Sequence, residues 1–273
     1  MPATTTRTGT VDVDGLELYY EIHGDGPPLV LLHGAMGTID VCFARLLPGL
    51  AAHHTVIAVE LQGHGRTPDA DRPLTYPRLA ADVAGLMAAL GVRAADLVGY
   101  SMGGAVALQL AMDRPQQVRR LVWFGGIGFD PSGLHPEMLA DLGRVTGEQL
   151  VGTPWHDAYI AVAPDPAGWS PLVARVAELD RTYTGWDPDQ LRGVTAPTLL
   201  IAGDADLSRP EHVIEMFRLF GGGVLGDLNP LPASQLAILP GTSHVGVLEQ
   251  TPLLLTMISQ FLDPARQAGT GAA

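Results

Sequence analysis

The chain has 273 residues, 47% of them hydrophobic and 16% charged, enough apolar material to bury a large core and too much for a disordered chain. Its net charge of −13 argues against nucleic acid or an anionic membrane as partner, since phosphate arrays and acidic lipids would repel it. All sixteen basic residues are arginines, which excludes Schiff-base chemistry, covalently bound pyridoxal phosphate and a P-loop lysine. Cys42 is the single cysteine and cannot form an internal disulfide. The first ten residues are polar, with no apolar core of a signal peptide, and no stretch approaches a membrane span in length. A cytoplasmic location is the expectation.

Residues 10–22 alternate apolar and polar on either side of Asp14-Gly15, which predicts a β-hairpin. Residues 28–32 form a continuous apolar run, as expected of a strand buried on both faces, and lead into His33-Gly34-Ala35-Met36-Gly37. A helix is expected over 43–52 and a strand over 54–59. The glycine-rich turn Gly63-His64-Gly65 follows. Thr75 can cap a helix that presents Leu79, Val83, Leu86 and Leu90 on one face and ends at Gly91.

Asp96-Leu97-Val98 then reads as the end of a buried strand, and residues 105–112 as a helix stopped by Pro115. Between them stands Gly99-Tyr100-Ser101-Met102-Gly103. Strand, Gly-x-Ser-x-Gly, helix is the setting of a nucleophile elbow, a sharp turn that exposes a serine hydroxyl at its apex. Further strands are expected over 119–124, 197–202 and 235–239, with a helix over 210–220 ending at Gly221-Gly222-Gly223. Strands alternating with helices predict a mostly parallel, doubly wound sheet with helices on both faces.

The alternation breaks between residues 127 and 192. Short helices begin there at Pro154, Pro171 and Pro188, each behind a capping residue, and Leu172, Val176, Leu179 and Tyr183 form a helical stripe. Three of the four tryptophans, Trp155, Trp169 and Trp186, lie in this segment. Each could line a substrate pocket or anchor the segment to the sheet. Residues 221–234, rich in Gly and Pro, join a helix to the start of a strand and so belong at the far edge from Ser101. Residues 263–273 read as a loose tail.

On these motifs the sequence resembles the α/β-hydrolase superfamily, in its serine-hydrolase branch, over about residues 10–262. The resemblance implies an eight-stranded α/β sheet as a core of residues 1–126 and 193–273, with residues 127–192 inserted after the sixth strand as a helical cap. Where the family shows Asp and Ser around Gly-His-Gly, this chain carries Glu60 and Thr67, conservative departures in a segment that shapes a turn.

A serine hydroxyl needs a base within reach and an acid to orient that base, here in chain order Ser, Asp, His. His244 lies in Pro240-Gly241-Thr242-Ser243-His244, just past the last strand and so on the sheet edge that carries Ser101. His33 and His64 sit in glycine turns with structural roles in the family, while His53, His54, His135, His156 and His212 are expected to be solvated. For the acid, the family's Gly-x-x-Asp pattern selects Asp206 over Asp204, a turn residue in the alternative view; Asp130 would serve an arrangement with the acid one strand earlier. The backbone N–H groups of Ala35 and Met102 are implied as the oxyanion hole.

The function expected is hydrolysis of a small to medium, fairly apolar carboxylic ester or lactone through an acyl-enzyme, with no metal and no organic cofactor. Carbon–carbon bond hydrolysis, thioester hydrolysis and perhydrolysis use the same residues and stay open. Haloalkane dehalogenases and epoxide hydrolases place Asp where this chain has Ser101, which disfavours both. A ligand receptor with little turnover is the non-enzyme alternative. Oligomeric state is not readable.

Overall fold

Asp14 and Gly15 both adopt positive φ, 52° and 79°, the geometry of a tight hairpin turn whose twist matches its strands. They join β1 (Thr5–Val13) to β2 (Leu16–His23) with Val13 opposite Leu16. A computed structural model describes residues 5–263 of the chain; the tail expected over 263–273 lies outside it but for Asp263.

The hairpin is the antiparallel end of an eight-stranded sheet of order β1-β2-β4-β3-β5-β6-β7-β8. Its other strands are β3 (Pro28–Leu32), β4 (Thr55–Val59), β5 (Ala95–Tyr100), β6 (Val118–Phe124), β7 (Thr198–Ala205) and β8 (Gln235–Ser243). From β3 to β8 every neighbouring pair is parallel. The chain leaves β3 for β4 on one side and returns to β5 on the other. That reversal opens a crevice at the carboxyl ends of β3 and β5, the usual place for a ligand in such sheets.

Alternation along β3 divides the core. Val30 and Leu32 pack into one layer with Leu79, Val83 and Leu86, while Leu29 and Leu31 pack into the other with Phe43, Leu50, Leu254 and Ile258. The helices that supply these residues are α1 (Ile39–Phe43), α2 (Leu47–Ala51), α3 (Tyr76–Ala89) and, late in the chain, one at Thr251–Leu262, while α4 (Met102–Asp113) adds Ala105 and Val106 to the first layer. Thr75 caps α3 by accepting from the Arg78 N–H, and Gly91 at φ 73° ends it, as the sequence suggests.

The single helix expected over 43–52 is two short ones. Pro48 has no N–H to offer the carbonyl of Ala44 and its ring would clash there, so the chain breaks and restarts. The last strand runs four residues past Leu239, through Pro240. Proline is tolerated because β8 is an edge strand and one side of it needs no ladder bonds.

Between β6 and β7 the described chain is helical: α5 (Pro136–Asp141), α6 (Pro154–Val162), α7 (Trp169–Thr182) and α8 (Pro188–Arg192), joined by one-turn 3-10 segments. Thr153 caps α6 and Asp187 caps α8 in a reciprocal box with Gln190. The helix expected from Pro171 instead begins two residues earlier, at Trp169. Then α9 (Pro210–Leu219) leads to residues 221–234 and so to β8, and α10 (Thr251–Leu262) closes the fold. Among the described residues no helix is long and apolar enough to cross a membrane.

Candidate active site

Ser101 sits between β5 and α4 at φ 53°, ψ −120°, a backbone conformation that costs free energy for any residue with a Cβ and is imposed by its surroundings. Its N–H donates to the Phe124 carbonyl of β6. The flanking glycines are obligatory: a Cβ on Gly103 would stand 2.1 Å from the Leu32 carbonyl oxygen, and one on Gly99 2.3 Å from that of Gly103. Only bare backbone lets α4 start so close to β3 and β5.

The structure brings together the three residues expected to act together, though they are far apart in sequence. His244 follows the last residue of β8, and its Nε2 lies 3.0 Å from Ser101 Oγ. Its Nδ1 lies 2.7 Å from Asp206 Oδ1, beyond the end of β7. Because a carboxylate only accepts, Nδ1 carries the proton and Nε2 presents a lone pair to the serine hydroxyl. Asp206 is buried and fixed by backbone, accepting from the Leu207 N–H on Oδ1 and the Gly203 N–H on Oδ2. Asp204 is exposed and accepts from the Thr242 N–H, a turn role. Asp130 caps a 3-10 turn through the Ser132 N–H and makes no bond to His244.

Tyr100 is a partner that the sequence reading missed. Its hydroxyl donates to the His244 carbonyl at 3.1 Å, and its ring stacks on the imidazole at 5.2 Å between centroids. Burial raises its phenol, which therefore stays a donor. The signal lay in plain view, an aromatic at the second position of Gly-x-Ser-x-Gly.

Ala35 and Met102 both line the cavity that holds Ser101 and His244. As first residue of α4, Met102 has no preceding helical turn to receive its N–H, and the helix dipole adds positive potential there. His33 braces the loop that carries Ala35: its Nδ1–H donates to the Gly34 carbonyl and its Nε2 accepts from the Leu61 N–H. Burial pushes His33 down to about 3 and His64 down to about 4, so both are neutral structural groups. Glu60, fully buried, accepts from the N–H groups of Ile39 and Arg66 and from the Arg66 guanidinium, while Thr67 donates to its carbonyl. Burial also pushes the Cys42 thiol up to about 12, which leaves no thiolate for chemistry at neutral pH.

Two expectations about histidine are corrected. His54 and His212 are buried, not solvated: His54 Nδ1 bonds the Leu50 carbonyl, and His212 Nε2 accepts from the Phe129 N–H while its ring stacks on Phe129. A protein-lined site for a flat ring satisfies imidazole as well as water does.

The cavity over Ser101 measures about 260 Å³ and is walled mainly by Met36, Ile127, Met138, Leu142, Trp155 and Leu207. It is contributed by both the sheet loops and the helical insertion. Of the three tryptophans offered as pocket residues, only Trp155 lines it. Trp169 is buried, donating its indole N–H to the Gly147 carbonyl and packing against Tyr159. Trp186 donates to Gln109 of α4 and packs on Tyr76 and Tyr183 outside the cavity. An indole needs a partner for its N–H, and both rings find one in the packing that ties the insertion down. Residues 221–234 contribute nothing to the cavity wall, and Leu228 and Leu231 among them are exposed.

Comparison with known proteins agrees with this architecture. A family model described as alpha/beta hydrolase fold matches residues 27–156. Among solved structures, a membrane phospholipase A described as a bacterial virulence factor superposes with a TM-score of 0.75 at 27% identity, covering 95% of this chain and 86% of that one. The chain belongs to the α/β-hydrolase superfamily. It is 41% identical over 119 residues to the dihydrolipoyllysine-residue acetyltransferase component of an acetoin cleaving system from Cupriavidus necator, covering 43% of this chain and 32% of the relative. It is 38% identical over 115 residues to a pyrrolizixenacetamide deacetylase from Xenorhabdus hominickii, covering 42% and 43%. The similarity thus spans less than half the length of either curated relative.

Proposed function

We propose that the chain is a serine hydrolase that cleaves a small to medium, fairly apolar carboxylic ester or lactone through an acyl-enzyme. The observation that carries this reading is the unbroken hydrogen-bond relay from Ser101 through His244 to Asp206 at the floor of an apolar cavity.

In this reading Ser101 Oγ attacks the substrate carbonyl carbon while His244 Nε2 takes its proton. The carbonyl oxygen becomes an oxyanion held by the N–H groups of Ala35 and Met102. Asp206 stabilises the imidazolium that forms and keeps its ring in plane. His244 returns the proton to the leaving alcohol oxygen, the C–O bond breaks, and the acyl group stays on Ser101. Water, deprotonated by His244, then releases the acid. The cavity, just below the ~300 to 1,000 Å³ common for ligand sites, favours a compact substrate. Relatives named as a deacetylase and a phospholipase A act on acyl groups by name, which supports acyl transfer to water here. Residues 127–192 act in this reading as a cap whose Met138, Leu142 and Trp155 shape the acyl site.

The test is turnover of a chromogenic short-chain ester such as p-nitrophenyl butyrate by wild type and Ser101→Ala. The expected loss is about 10⁴-fold or more in kcat. Equal turnover by both proteins would remove Ser101 from the chemistry; no turnover by either, with tight ligand binding, would favour a receptor.

A further inference from the structure

The cavity over Ser101 contains a charge that the hydrolytic reading does not use. Most of its polar groups are committed: Tyr100 donates to the His244 carbonyl, Thr153 to the Leu150 carbonyl, and Ser101 and His244 bond each other. Beside the indole N–H of Trp155, a donor with no hydrogen bond among the described residues, two acceptors remain, the carboxyl of Asp180 on α7 and the hydroxyl of Tyr76 on α3. Neither side chain makes a hydrogen bond or ion pair to protein among the described residues. Asp180 stands one helical turn after Val176, which lines the same cavity, so α7 aims both inward.

A carboxyl facing an apolar wall with no counter-ion is costly, and burial accordingly pushes Asp180 up to about 6. Arg181, its neighbour in sequence, pulls in the other direction without pairing, because its guanidinium goes to the Gly143 carbonyl and to Glu178. Burial likewise holds the Tyr76 phenol neutral, so its hydroxyl can accept as well as donate. At neutral pH the cavity therefore offers one anionic and one neutral acceptor, set among methyl and methylene groups. A ligand that satisfies both while filling the rest has a cationic N–H donor on an apolar stem. A neutral hydroxyl can donate to the carboxylate and accept from the phenol, but it cannot offset the carboxylate's charge; an ammonium donates to both oxygens and neutralises that charge.

We infer that Asp180 is a specificity-determining residue that receives the ammonium group of an amino-bearing substrate, with Tyr76 accepting a second N–H. The substrate class proposed above then narrows to amino-substituted esters or lactones. That narrowing rests on the hydrolase reading, whereas the amine site itself does not. The protein's net charge of −13 also favours cationic over anionic ligands on approach.

The experiment compares binding of butylamine and hexylamine with butan-1-ol and hexan-1-ol, followed by NMR titration of the full chain at pH 7.5. Wild type is expected to bind each amine about tenfold or more tightly than its matching alcohol, the scale of a hydrogen bond to a charged group. In Asp180→Asn that preference is expected to fall within about threefold. Asp180→Leu, which continues the apolar wall, makes the same comparison should the amide not be accommodated. In Ser101→Ala the amine preference persists while turnover of p-nitrophenyl butyrate is lost. Equal binding of amines and alcohols by wild type overturns the assignment, as does a preference that survives both Asp180 variants. An amine preference in a protein that hydrolyses nothing would leave the Asp180 site standing and remove the hydrolase reading.

Discussion

His244 owes its position to three different strands. Its Nε2 meets Ser101 just past β5, its Nδ1 meets Asp206 past β7, and its own backbone follows β8. Tyr100 ties the backbone and the ring together from below. Tyr100→Phe keeps the stacked ring and deletes the bond to the His244 carbonyl. The expected cost is about 1 kcal/mol, or roughly 2–4 °C in melting temperature. On the proposed mechanism, steady-state kinetics should show kcat lowered up to about tenfold with KM little changed, since the variant loosens the base and keeps the ring that lines the cavity. A change confined to KM would mean that Tyr100 acts on substrate and not on His244.

At the level of helices and strands, what the sequence revealed depended on how local the cause was. The hairpin at Asp14-Gly15, the cap at Thr75 and the elbow glycines each answer to a few adjacent residues, and each was readable. Helix α1 and its break before α2 differ from the single helix expected over 43–52, although Pro48 stands within that range. The extension of β8 through Pro240 depends on β8 lying at the sheet edge, which no local pattern encodes. The tryptophans fall in between. Their segment was readable as a break in the alternation of strands and helices, but which ring faces the cavity depends on partners as distant as Gln109 and Gly147. Mutation separates the two roles. Trp169→Ala is expected to destabilise by about 3–5 kcal/mol, measured by denaturant melts, because it empties a buried, hydrogen-bonded site. Trp155→Ala is expected to shift KM across a series of acyl chain lengths with a smaller effect on stability.

For the molecule as a whole, the buried imidazoles set its response to acid. His33 and His64 stay neutral in the fold down to about 3 and about 4, against an ordinary value of 6.5. Above 6.5 neither folded nor unfolded chain carries these protons, so they do not affect stability. Below it the unfolded chain takes them up and the native one does not, so stability falls from pH 6.5 toward 4, by up to about 1.4 kcal/mol per pH unit for each ring. Asp180 opposes this in part. Its carboxyl keeps a proton in the fold up to about 6 where the ordinary value is 3.8, so its burial penalty fades as pH falls across that window. Glu60, Asp82 and Asp96, also raised by burial, act with Asp180, while His54 and His212, also lowered by burial, act with His33 and His64, whose shifts are the largest of the set. Melting temperature should therefore drop steadily from pH 6.5 to 4, and a flat profile would contradict the neutral, buried assignment of both histidines.

The strand that delivers His244 is paired along one edge only, with β7, whereas β5, which leads into Ser101, is held on both sides by β3 and β6. Warming should fray that outer ribbon while the interior of the sheet stays closed. On the proposed mechanism, Ser101 and the N–H groups of Ala35 and Met102 would then remain in place with nothing to accept the hydroxyl proton. Heated protein is thus expected to fall silent several degrees before its circular dichroism melts, with amides of residues 235–243 exchanging first, and to recover on cooling. Coincident loss of activity and secondary structure would show that the sheet gives way as a single unit.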